Sequence, residues 1–201
     1  MDRKITLLNR NGVALFYYGY EQQPIFFPAG GVNVVALTKI FDTLNIMFSY
    51  YSKVSVILFQ FHQSDYASDN AQLSKLISKL KSELNKHYRN SRIAYVWARE
   101  QGKDGTDLHY HIAFMINGSL CNKSDVLFKR ARKIVKEIHP ENYIWLPKRC
   151  VYNLHRYAKP NELRAARMRM SYAAKNRTKE FIPKGAPKFG FSQLKRNAHR
   201  I

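Results

Sequence analysis

Cysteine is almost missing from this chain: Cys121 and Cys150 are the only two in 201 residues. Two cysteines cannot build a disulfide framework or a cysteine-rich zinc site. Acidic side chains are scarce too, 14 Asp and Glu against 34 Lys and Arg, for a formal charge of +20. Long apolar runs are absent. The best candidate, Val32 to Tyr51, contains Lys39 and Asp42, which excludes a membrane-spanning helix there. The start of the chain, Met1 to Arg10, is too polar for a secretory signal peptide, so a soluble, intracellular protein is expected. No Gly-x-x-x-x-Gly-Lys-Ser/Thr stretch occurs, and with it a P-loop ATPase is excluded.

What is present is positive charge, unevenly placed. Residues 1–117 carry 13 basic and 9 acidic side chains, whereas residues 118–201 carry 21 and 5. Such a surface attracts polyanions, and nucleic acid is the default partner. The length and the 45% apolar content suffice for one substantial core.

Hydrophobic spacing divides the chain into elements. Residues 1–31 are aromatic-rich and read as an N-terminal extension, at most a hairpin ending at Gly30-Gly31. Helical spacing runs from Val32 to Ser49, a β-branched and aromatic run from Lys53 to His62, and an amphipathic helix over 69–88. Strands are expected at about 92–100 and 108–116 around an Asp104-Gly105 turn. A helix at 124–138, a strand near 149–154 and a helix at 161–176 follow, the last started by Pro160. Residues 177–201 read as a basic tail. This order implies an α+β fold, a ferredoxin-like or RRM-like antiparallel sheet with helices on one face, over residues 32–176.

His109-Tyr110-His111 lies inside the second hairpin strand. If Asp104-Gly105 form a two-residue loop, cross-strand partners sum to 209, so Glu100 faces His109 and Ala98 faces His111. Residues two apart on a strand share a face, so Glu100, His109 and His111 converge, with small Ala94, Ala98 and Ala113 around them. Two imidazoles and one carboxylate suit a divalent ion such as Mn²⁺ or Mg²⁺ with open positions; zinc would lack sulfur ligands here. Chance alone supplies about 0.24 His-x-His pairs in a chain with seven histidines, so the pair gains weight only from Glu100 at the matching register. Asp104 and Asp107 are weaker ligand candidates.

Tyr172-Ala173-Ala174-Lys175 comes 61 residues after His111. On the 161–176 helix, Leu163, Ala166, Met170 and Ala173 form a packing stripe, while Met168, Arg169, Tyr172 and Lys175 share another face. Arg169 and Lys175 would stabilise phenolate and phosphate charge beside a nucleophilic tyrosine. Tyr50, three before Lys53, and Tyr157, near Pro160, are rival tyrosines. An ordinary surface tyrosine on a basic helix is the plain alternative.

As an ordered set, these residues resemble the HUH endonucleases, named for a His–hydrophobic–His motif. Within them the chain is most similar to single-tyrosine rolling-circle replication initiators of the inovirus-type replication protein family. The matching stretches lie over roughly residues 50–192: Val54–His62, Tyr95–Glu100, Leu108–Phe114, Met170–Lys175 and Phe189–Ser192. Met115 stands where conjugative relaxases show a third histidine, and Met168 and Asn176 are not tyrosines, which favours the one-tyrosine type. The resemblance implies His109, His111 and Glu100 as metal ligands, Tyr172 as nucleophile and Lys175 beside it. It further implies nicking of single-stranded or hairpin origin DNA in a bacterial cytoplasm, with a separate host helicase and polymerase and no membrane partner. Arg169, Arg177, Lys179, Lys184 and Lys188 are expected to contact nucleic-acid phosphates. A single-tyrosine transposase or relaxase-type nuclease, and a catalytically silent nucleic-acid-binding protein on the same fold, stay open as alternatives.

Overall fold

The computed structural model describes residues 5–8, 12–103, 106–121, 124–157 and 160–198. The chain starts with a small antiparallel sheet, β1 (Ile5–Leu7), β2 (Val13–Tyr18) and β3 (Glu21–Phe26), in that order. Next come α1 (Val34–Tyr50), β4 (Lys53–His62), α2 (Ala71–His87), β5 (Ala94–Glu100), β6 (His109–Asn117) and α3 (Asp125–Ile138). They are followed by β7 (Tyr143–Trp145), β8 (Val151–His155), α4 (Pro160–Ser171), a 3-10 turn at Tyr172–Ala174, and β9 (Phe189–Phe191). The large sheet runs β7-β4-β6-β5-β9, every pair antiparallel. β8 also pairs with β4, along Lys53–Ile57, whereas β7 takes Gln60–His62. The fold is α+β and compatible with the ferredoxin-like arrangement.

Strand alternation gives the large sheet two faces. On one, Ile57, Phe59, Phe61, Tyr110, Ile112 and Phe114 are fully buried. The α2 stripe Leu73, Leu76, Ile77, Leu80 and Leu84 packs here, joined by Leu127, Ala131 and Ile134 of α3. These are the helices expected on one face. The opposite face carries α1 as well: Leu37, Ile40, Phe41 and Leu44 cover Val54, Val56, Ala94 and Met115. Asn33 starts α1 by accepting the Ala36 amide on its side-chain oxygen at 2.8 Å. The cover stops short of the far ends of β4, β5 and β6, and there the same face turns polar. No helix among the described residues is long and apolar enough to cross a membrane.

Both terminal segments differ from expectation. Residues 12–31, expected as part of an extension, join the main body instead: Ala14, Phe16 and Ile25 enter the α1 core and the Phe26 amide donates to Ser171 Oγ at 2.8 Å. Nor do residues 177–198 form a tail: Ile182 is buried, and β9 zips onto the β5 edge through Val96–Phe191, Trp97–Gly190 and Ala98–Phe189. Gly190 is required there, since a Cβ would lie 2.3 Å from the Trp97 indole.

The last helix ends five residues earlier than its spacing suggests. The chain beyond Ser171 is captured by residues 31–33: Val32 bridges to Lys175, the Asn33 amide donates to Ala174 O at 2.8 Å, and the Asn176 amide donates to Gly31 O at 3.0 Å. Those backbone groups cannot also continue a helix.

Candidate metal and tyrosine site

The polar end of the sheet is built by register. β5 and β6 pair Glu100 with His109 and Ala98 with His111, the sum of 209 read from the sequence. The expected turn residues Asp104 and Gly105 lie outside the described residues. The ladder itself stops at Glu100–His109; on either side of Asp104 and Gly105, Gly102 N–H donates to Thr106 O at 2.8 Å and Asp107 takes a left-handed φ of 51°. β4 and β6 pair Gln60 with His111 and His62 with His109, and β7 adds Trp145 beside Gln60 and Tyr143 beside His62. Two rows therefore cross the sheet: Trp145, Gln60, His111, Ala98 and, one step further out, Tyr143, His62, His109, Glu100.

Glu100 is the centre of the site. Its Oε1 lies 3.3 Å from His111 Nε2 and its Oε2 lies 3.5 Å from His109 Nε2. The three residues each offer a ligand atom within 4.8 Å of the others. The Asp107 carbonyl sits 2.8 Å from His109 Nδ1, so an N–H there leaves the Nε2 lone pair facing the carboxylate. Glu100 Oε1 and His111 Nε2 are both buried and neither makes a hydrogen bond. A carboxylate oxygen and a ring nitrogen facing each other in this way would be satisfied by a shared proton or cation.

The titration directions agree with that crowding. Burial alone would raise the Glu100 pKa, but the adjoining imidazoles of His109 and His111 and the charge of Lys179 hold it well below the carboxylate range. Against the pull of burial, the nearby Glu100 carboxylate and the hydrogen bond to the Asp107 backbone raise His109. Burial wins at His111, which is lowered despite Glu100. His62 falls to about 4 through burial and the neighbouring His109 charge.

Tyr172 reaches this cluster from the 3-10 turn. Its ring lies edge-on to His111 with centroids 5.0 Å apart, and packs against Phe26 at 4.8 Å. Lys175 Nζ donates to Tyr172 Oη at 2.7 Å and sits 2.8 Å from Glu100 Oε2. One ammonium thus ties the phenol to the carboxylate. The rivals are elsewhere. Tyr50 closes α1 and Tyr157 follows β8, both next to the Lys53 end of β4. A ten-residue strand puts that end roughly 30 Å from His62.

The expected phosphate-binding residues separate into two kinds. Arg169, Arg177, Lys184 and Lys188 are exposed. Lys179 is buried instead: its Nζ donates to Arg99 O at 3.0 Å and lies 3.6 Å from Glu100 Oε1. Burial lowers its pKa to about 8, partly offset by Glu100. It is a structural counter-charge, out of reach of a phosphate.

Sequence reading missed Gln60, His62, Tyr143 and Phe26. Gln60 and His62 had a signal, as polar side chains at alternate positions just after the apolar run Val56–Phe59 of β4. The His62 ring stacks on His109 at 4.9 Å and on Tyr143 at 4.6 Å, and its Nε2 lies 2.9 Å from Gln60 Oε1. Gln60 Nε2 in turn lies 3.3 Å from His111 Nδ1. Beside His111 and Tyr172 opens a cleft of about 210 Å³, floored by Leu58, Val96 and Ala113 and flanked by Met170, Trp145 and Arg169.

Residues 20–192 match the family model described as the YagK/YfjJ C-terminal domain. The span runs from just before β3 to just after β9 and takes in every residue of the site. No curated protein and no solved structure matches the chain. Covering most of its length, the match shows that the chain belongs to the YagK/YfjJ C-terminal domain family.

Proposed function

We propose that this protein nicks and rejoins single-stranded DNA through a 5′-phosphotyrosine at Tyr172, as an initiator of rolling-circle replication for a phage or other mobile element. The observation that carries the proposal is the Tyr172–Lys175–Glu100 chain, which sets a phenol against a two-histidine, one-carboxylate cluster at the mouth of a cleft.

The donors fit a divalent ion, Mn²⁺ or Mg²⁺. Glu100 Oε1 and His111 Nε2 are buried without hydrogen bonds, and His109 has its Nδ1 engaged by backbone. Held by Glu100, His109 and His111, such an ion would supply charge to polarise the scissile phosphate. Tyr172 Oη forms the new bond to phosphorus and the P–O3′ bond breaks. The phenol gives up a proton and the departing 3′ oxygen takes one from solvent. Lys175 stabilises the phenolate as it forms. The energy of the P–O bond is kept in the phosphotyrosine, so reversal rejoins strands without ATP. The 3′-OH serves a polymerase, and unwinding falls to a separate helicase in the host cytoplasm. A single-tyrosine transposase or relaxase-type nuclease would use the same steps.

One observation favours a second reading. Lys175 and Lys179 already place two cations on Glu100, so the cluster can stand without a metal in a silent nucleic-acid-binding protein. Incubation with labelled single-stranded DNA and Mn²⁺, followed by a denaturing gel, separates the two. A covalent adduct that needs metal supports the nickase. No adduct across several metals and candidate origins supports the binder.

A further inference from the structure

The nickase reading assigns nothing to the inside of the cleft or to the exposed aromatic pair of β7. Tyr143 and Trp145 are 50% and 48% exposed, two residues apart on one strand, so they project from the same sheet face as the histidines. Trp145 stands two strands from His111 in the same row, roughly 9.5 Å away. The cleft lies between Trp145 on one side and Tyr172 on the other. Its floor, Leu58, Val96 and Ala113, is uncharged and apolar. Ala113 matters most, since a larger side chain at this register position would fill the space.

That floor offers a phosphate no hydrogen-bond donor and suits something flat and weakly polar. At about 210 Å³ it is smaller than the ~300–1,000 Å³ of sites that enclose whole small molecules. A single aromatic ring fits that description. The surroundings name the class of molecule that carries such a ring. Arg169 presents a cation at the edge of this apolar floor, and Lys148 and Arg149, just after β7 in the chain, are exposed. Alternating base and phosphate of a nucleic-acid strand complement that pattern. A duplex cannot offer the base, because its rings are already stacked and paired.

We infer that the Trp145 cleft takes one unstacked nucleobase of the strand lying across the site, with Trp145 as its stacking face and Arg169 gripping an adjoining phosphate. This rests on the proposed function for its ligand class and adds the subsite. It also explains why Trp145 and Tyr143 remain half exposed although each is large and apolar: their free faces are for the ligand.

The test compares oligothymidylate with a base-free oligomer of equal length, using the full chain with Mn²⁺. Phosphate contacts are common to both probes, so the ratio of their dissociation constants isolates base stacking. Trp145→Ala should shrink that ratio roughly 5- to 150-fold. Trp145→Phe, which keeps a ring, should preserve most of it. Arg169→Ala should weaken both probes alike and leave the ratio unchanged. A ratio unmoved in Trp145→Ala, with the circular dichroism spectrum intact, overturns the subsite. If the Phe variant loses as much as the Ala variant, stacking is likewise refuted. The parent reading is judged separately by the covalent adduct. Wild type forming adduct with no change of ratio in Trp145→Ala keeps the nickase and removes the base slot; a ratio that falls with no adduct anywhere keeps the slot and removes the nickase.

Discussion

The two faces of the large sheet come from the same strands, yet they do opposite work. One is sealed from end to end: Phe59, Phe61, Tyr110, Ile112 and Phe114 are all at most 2% exposed beneath α2 and α3. The other is sealed by α1 only as far as Val56, Ala94 and Met115, and beyond that carries Gln60, His62, Glu100, His109 and His111. Residues 109–115 show the contrast in one strand, where odd positions run from imidazole to alanine to methionine and even positions are aromatic or aliphatic throughout. Apolar packing is concentrated on the closed face and titratable groups on the open end of the other, so the two can be disturbed independently.

The largest expected effect is on the open end. Tyr172→Phe removes one hydroxyl and keeps the contacts to Phe26 and His111, so covalent adduct on a denaturing gel should vanish while binding to single-stranded DNA persists. Tyr50→Phe and Tyr157→Phe should keep the adduct. Peptide mapping of the wild-type adduct to either of those residues would break the assignment.

A matched pair then tests the faces directly. His111→Ala should abolish cleavage and the Mn²⁺-dependent rise in melting temperature, with the metal-free fold little changed. Phe114→Ala, three residues along the same strand, should cost about 3–5 kcal/mol in urea unfolding, because it opens a cavity in the sealed core. Similar losses of stability in both variants would end the distinction drawn above.

Glu100→Gln sits between these cases. It leaves Lys175 and Lys179 buried beside a neutral amide, and removing one partner of a buried pair costs on the order of 3 kcal/mol. Urea unfolding in the presence of a chelator measures this without any metal contribution.

The smallest effects concern the exposed cations. Lys184→Ala or Lys188→Ala should weaken DNA binding equally for all sequences, and flatten the salt dependence by about 0.7 for each lost single-strand contact. Lys179→Ala should lower stability and leave the salt slope alone. If Lys179→Ala flattened the slope instead, the burial assigned to it would be wrong.

The readable part of this molecule is the part governed by short-range periodicity. The alternation in β5 and β6 made the convergence of Glu100, His109 and His111 legible, and the register of 209 held. Gln60, His62 and Tyr143 escaped because their placement depends on pairing between distant segments. His62 and Gln60 enter the site only once β4 is registered on β6, and Tyr143 only once β7 joins β4. Lys179 looked like its exposed neighbours because sequence shows charge and not burial. The helix end at Ser171 was hidden for a related reason: nothing local to residues 172–176 marks a stop, and the hydrogen bonds that impose it come from residues 31–33.

That long-range capture has a consequence for how the protein comes to be active. Phe26 and Ser171 are joined across 145 positions of chain, and the Val32–Lys175 bridge spans a similar loop. Closing loops of that length is among the slower events of folding, whereas β5–β6 and the amphipathic helices rely on nearby partners. The sealed face can therefore assemble while Tyr172 is still unplaced. In a refolding experiment, secondary structure and burial of the α2–α3 core should recover first and adduct-forming capacity last. A newly made chain would become compact before Tyr172 reached Glu100, His109 and His111.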